Sequence, residues 1–124
     1  MSLQEKVGRW VSEIGLETHP KERALRVCEE AFELAQAVGV DSGQLHVLVD
    51  YIFSRDKGSP PQELAGTMLA LLAMANTLGV VIEDVTAKEL ERVSTPEKIA
   101  RIKRRDLEKM REGVGFSLDY SEEG

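Results

Sequence analysis

Apolar and polar residues recur along this chain with the period of a helix, and no stretch alternates long enough to form a strand. Val7, Trp10, Val11 and Ile14 make one stripe over Leu3–Ile14, which predicts a first helix. Gly15 to Pro20 reads as a connector. A second helix runs from Pro20 or Lys21 to Val38 and stops at Gly39. Asp41 or Ser42 can cap a third helix carrying Leu45, Leu48, Val49, Ile52 and Phe53, followed by the polar loop Ser54–Ser59. Pro60 and Pro61 suit the first turn of a fourth helix that ends at Leu78 before Gly79. A fifth helix covers roughly Ile82 to Val93. Thr95 then caps a sixth, with Pro96 in its first position, which continues to about Arg111. The expected architecture is all-α, a bundle of four to six helices. Residues 1–112 form one domain, and residues 113–124 read as a mobile, acidic C-terminal tail.

Two of these helices differ from the rest. In the second, Leu25, Val27, Cys28, Ala31, Phe32, Leu34, Ala35 and Val38 fill one half of the helical wheel, at about 100° per residue. Arg26, Glu29, Glu30, Glu33 and Gln36 fill much of the other. Glu30 and Glu33 stand at i, i+3 and Glu29 and Glu33 at i, i+4, so three carboxylates are neighbours and repel. Arg26 or a bound cation can offset that repulsion. A solvated acidic face with a local ion pair is the plainer explanation of the pattern taken alone.

The fourth helix has no charge from Leu64 to Ile82 and is apolar in most directions. Its remaining face, Glu63, Gly66, Ala70, Ala73 and Thr77, is small and nearly smooth, so another helix can come close. A helix apolar almost all round is expected to be buried. The run also approaches the length of a membrane span, but Thr67, Asn76, Thr77 and Gly79 and the scarcity of flanking basic residues argue for a buried central helix. Glu63 would then meet the rim of the core, where a carboxylate is costly unless paired or bound to metal. It would also face the acidic helix.

Composition narrows the chemistry. The 124 residues carry 16 Lys and Arg against 22 Asp and Glu, a net charge of −6. That surplus disfavours nucleic acid and suits a hard divalent cation. At 42% hydrophobic and only 5% aromatic, the core must be built from aliphatic side chains. One cysteine, Cys28, excludes an internal disulfide and reads as a small buried hydrophobe. Met1–Trp10 is amphipathic and does not read as a signal peptide, so a cytoplasmic location is expected, with no membrane partner.

The segments Glu29–Glu33 (EEAFE), Glu63–Gly66 (ELAG) and Ala75–Val80 (ANTLGV) together resemble the MazG-like, all-α nucleoside triphosphate pyrophosphohydrolase family. In that pattern a Glu-Glu-x-x-Glu helix precedes a Glu-x-x-Asp helix, and the likeness spans about Leu3 to Met110. The resemblance implies Mg²⁺-dependent hydrolysis of a nucleoside triphosphate to the monophosphate and pyrophosphate, with Mn²⁺ as a substitute ion. It also implies assembly as a homodimer or homotetramer. By the same resemblance Glu30, Glu33 and Glu63 are metal ligands, and Glu29 or Glu33 orients or deprotonates water. The family Asp falls at Gly66. Asp50 or Asp84 would have to substitute for it, or the fold persists as a catalytically weak or inactive nucleotide-binding or regulatory protein. Another rival is a helical interaction module whose glutamates are merely solvated. Arg26, Arg55 and Lys88 are the phosphate-binding candidates. Trp10 can stack on a base or sit in the core, and Asn76 can read a base edge or satisfy backbone. Phe32 and Phe53 read as core, and His19 and His46 as structural or surface residues.

Overall fold

The computed structural model describes residues 1–114. The expected tail therefore lies almost entirely outside the described residues. Within them the chain is all-helical, with six helices and no strand: α1 Leu3–Ile14, α2 Pro20–Ala37, α3 Ser42–Phe53, α4 Pro60–Leu78, α5 Ile82–Arg92 and α6 Pro96–Arg111.

The helix ends fall where local chemistry puts them. Ser2 closes a capping box on α1: its hydroxyl accepts from the Glu5 amide at 3.1 Å, and the Glu5 carboxylate accepts from the Ser2 amide at 3.1 Å. Asp41 and Gln44 form the same reciprocal pair on α3, which settles the choice between Asp41 and Ser42. His19, read from sequence as a structural or surface residue, caps α2 by accepting from the Lys21 amide through Nδ1 at 3.1 Å. Ser59 and Thr95 cap α4 and α6 one residue ahead of their prolines. Gly15 and Gly79 close α1 and α4 at φ +79° and +70°, a left-handed conformation that a Cβ disfavours.

Packing is concentrated at one end. Only α1 and α6 make a sustained helix–helix contact among the described residues. Ile14 is fully buried there, and the Trp10 indole N–H donates to the carbonyl of Val93 at 3.1 Å, tying α1 to the turn between α5 and α6. This fixes Trp10 as a structural hydrogen-bond donor. Beside it, the fully buried Glu22 carboxylate on α2 meets Arg26 Nε at 3.1 Å and Arg23 Nη2 at 3.7 Å.

The expectation of a buried central helix is not met within the single chain. Along α4 only Ala75 is buried, while Leu64 and Leu69 are 70% and 68% exposed. Cys28 is exposed rather than buried, and Phe53, read as core, is 84% exposed. Phe32 is 41% exposed. The physical reason is that no element among the described residues covers α3 and α4, so their apolar faces are open there. No single helix among the described residues is long and apolar enough to cross a membrane. The α4–α5 pair reaches that composition only together and is bent by 99°.

Candidate functional site

Three of the four acidic residues of α2 share one cavity. Glu29, Glu30 and Glu33 form one wall of a space of about 530 Å³, and Glu89 and Arg92 of α5 with Arg105, Glu108, Lys109 and Glu112 from the α6 end form the rest. Their proximity follows from the helix repeat: residues three and four apart lie on one face. The opposing wall comes from residues far away in sequence. Lys109 Nζ reaches Glu29 Oε1 at 2.8 Å across α2 and α6. Arg26 Nη1 holds the same oxygen at 2.8 Å, and Arg26 also donates to the Val114 carbonyl.

The environment separates these carboxyl groups. Burial pushes Glu29 up, but the ammonium of Lys109 and the guanidinium of Arg26 outweigh it, and the net shift is below the ordinary carboxylate range. Glu29 is thus held ionised and fixed in place. Glu30 moves the other way: burial raises it first, and the negative charges of Glu33 and Glu29 raise it further. Concentrated negative charge of this kind is what a bound cation relieves. Across the cavity, Arg92 is engaged by Glu89 through two bonds of 2.7 and 2.8 Å. Arg105 lines the cavity and makes no hydrogen bond or ion pair within the described residues.

A second cavity, also of about 530 Å³, adjoins the first and shares Glu29 and Glu33 with it. Phe32, Val40 and Leu45 give it apolar walls, and Gln36, Asp41 and Ser42 a polar edge. α2 and the start of α3 build it together.

The other residues singled out from sequence lie apart from this centre. Glu63 sits in the first turn of α4, and its side chain folds back over Gly58 so closely that a Cβ there would collide with it. It lines neither cavity with Glu30 and Glu33. Asp50 and Asp84 line neither cavity, and both are exposed. Arg55 lies over the ring of Tyr51, 5.2 Å from its centroid, at the far end of α3. Lys88 and Asn76 are exposed on α5 and α4 and line neither cavity. Arg26 is the one phosphate candidate placed beside the carboxylates, and it is already paired to Glu22 and Glu29. The cations that do line the acidic cavity, Arg92, Arg105 and Lys109, were not singled out for this role by sequence.

As donors, the α2 carboxylates suit a hard divalent ion. Among the described residues, however, no three acidic side chains converge on a single point as a closed metal cage. The arrangement suits an ion that keeps much of its water and takes one or two protein carboxylates, as Mg²⁺ does. No family model, no curated protein and no solved structure matches this chain. The likeness of its α2 and α4 segments to the pyrophosphohydrolase pattern rests on the residues themselves.

Proposed function

We propose that the chain is a Mg²⁺-dependent nucleoside triphosphate pyrophosphohydrolase working at the α2 cavity. One observation carries the reading: three adjacent carboxylates, with Glu30 raised by burial and by its neighbours, face a wall bearing Arg92, Arg105 and Lys109. Such a cavity accepts an ion and a polyanion together, since each offsets charge the other leaves uncompensated. Glu30 and Glu33 are the residues that would hold the ion, and Glu63 is a ligand only if α4 of an assembled protein reaches α2. When bound, the ion would supply neutralisation of the triphosphate and of the departing pyrophosphate.

The chain's own groups have distinct tasks in this reading. Arg105 meets phosphate oxygens directly, and Lys109 and Arg92 do so by sharing their existing carboxylate partners. Glu29, fixed by Lys109 and Arg26, keeps the rim of the site ionised and ordered. Glu33, shared by both cavities and in no ion pair among the described residues, orients the attacking water. The base lies in the adjoining cavity against Phe32, with Gln36 and Ser42 within its polar edge. In solution the protein works as a homo-oligomer, dimer or tetramer.

A second reading is favoured by two observations: Gly66 stands where the family pattern has Asp, and no three acids converge within the described residues. It is a nucleotide-binding or regulatory protein that keeps the fold with little or no turnover. Incubation of the pure protein with each NTP and dNTP in the presence of Mg²⁺, following pyrophosphate, separates the two. Turnover of at least one nucleotide, releasing pyrophosphate and monophosphate, is expected. Binding of a nucleotide without turnover of any would establish the second reading instead.

A further inference from the structure

We propose that the cavity between α2 and the start of α3 selects guanine through Asp41, a specificity that rests on the assignment of this cavity to the base. Its volume of about 530 Å³ is that of an ordinary small-molecule pocket. The Phe32 ring, exposed in the chain, is open to stack on a purine, and Val40 and Leu45 supply the rest of the apolar wall.

The polar groups of the wall are of two kinds. Gln36 carries both donors and an acceptor, and the Ser42 hydroxyl acts either way, so neither fixes what it faces. The carboxylates of Glu29, Glu33 and Asp41 only accept. A ligand edge seated among them has to supply hydrogens, because an edge of lone pairs would be repelled. Glu29 is already held by Arg26 and Lys109. Glu33 faces the acidic cavity as well. Asp41 is the carboxylate that belongs to this cavity alone.

Asp41 is also held in place for the task. Its Oδ1 accepts from the Gln44 amide at 2.8 Å, and its own amide donates to Gln44 Oε1 at 3.0 Å, so backbone and side chain are both pinned. Gly43 keeps the carboxylate uncrowded: a Cβ there would stand 3.3 Å from Oδ1. A carboxylate has about four lone-pair positions, and the cap bond uses one. Two further N–H groups can therefore be accepted side by side. Among the common bases only guanine presents two adjacent donors on its pairing edge, N1–H and the N2 amino group. Adenine and cytosine place an acceptor nitrogen beside their single amino group, and uracil flanks its one N–H with two carbonyls. Guanine O6 then takes a hydrogen from Gln36 or Ser42. A charged acceptor meeting two parallel donors makes the stronger kind of hydrogen bond.

Calorimetry on the full-length protein with Mg²⁺ and the α,β-methylene analogues of GTP, ATP, CTP, UTP and XTP tests this, since these analogues resist cleavage between the α and β phosphates. The guanine analogue is expected to bind at least about tenfold more tightly than those of adenine, cytosine and uracil. Asp41→Asn keeps an equally good helix cap, so the fold is retained. Its amide matches xanthine, in which a carbonyl replaces the amino group of guanine. The variant is expected to lose about tenfold or more for guanine and to prefer xanthine. Equal affinity for all bases overturns the proposal, and so does a guanine preference that survives Asp41→Asn. If pyrophosphate is nonetheless released from the nucleotides, the hydrolase reading stands without the base selection. Guanine binding that depends on Asp41, with no turnover of GTP, upholds the selection and removes the hydrolase. Binding of none of the analogues overturns both.

Discussion

The two ends of this molecule solve the burial problem in opposite ways. At the α1–α6 end the chain covers itself: Ile14 is enclosed, Trp10 is bonded to Val93, and even a carboxylate, Glu22, is fully buried against Arg26. At the α3–α4 end the most apolar helices in the sequence lie open. The charged end buries its ionised groups against one another, and the greasy end lies uncovered among the described residues. Sequence hydrophobicity therefore locates a surface that must be covered, without saying by which chain. The acidic cavity belongs to the self-sufficient end, walled by α2, α5 and α6.

The contrast makes substitutions at the two ends behave differently. The largest effect is expected for Glu22→Gln, which leaves Arg26 and Arg23 facing a neutral amide in a buried site. Breaking a buried pair in this way costs about 3–5 kcal/mol, read as a large fall in Tm at every protein concentration. An unchanged Tm would mean that the packed end is not what holds the fold. Ile14→Ala should follow, at roughly 2–5 kcal/mol, again independent of concentration. Leu69→Ala, by contrast, should lower Tm by an amount that shrinks as the protein is concentrated.

A smaller, pH-dependent effect separates the ends further. Burial first, and then the charge of Glu22, raise the Asp106 carboxyl on α6 above its ordinary value. A carboxyl raised in the folded protein favours folding while protonated. That contribution is complete below the unfolded pKa and is lost as pH rises through the folded one. At neutral pH the ionised group therefore opposes folding. Asp106→Asn should stabilise the protein at pH 7, by less than about 1 kcal/mol once solvent screening is allowed for. The gain should disappear in acid, below about pH 3, where Asp106 is protonated in both states. A gain that persists there would assign the effect to something other than charge. Smallest of all, Glu33→Gln should stabilise the metal-free protein by roughly 0.2–0.5 kcal/mol for each like-charge neighbour relieved. The same variant should lose any Mg²⁺-dependent rise in Tm.

What the sequence revealed follows the range of the interactions. Helix ends were legible because prolines, glycines and capping side chains act within four residues, and Pro60, Gly79 and Thr95 punctuate the chain as expected. The caps made by His19 and Ser2 were not legible because their bonds depend on backbone geometry that periodicity does not display. The clustering of Glu29, Glu30 and Glu33 was legible from the repeat of a single helix. The far wall of their cavity was not, because Lys109 lies 80 residues from Glu29 and its approach depends on how α6 crosses α2. The pairing of Glu63 with Glu30 and Glu33, argued from a buried α4, does not form among the described residues, where no element covers α4. Gly66 faces open space.

Titration calorimetry with Mg²⁺ and Mn²⁺ is the most direct examination of the α2 carboxylates as an ion site. Saturable binding to the wild-type protein is predicted, weakened by about tenfold or more in Glu30→Gln and Glu33→Gln and retained in Asp84→Asn. A wild-type protein that takes up neither ion, with or without a nucleoside triphosphate present, would contradict it.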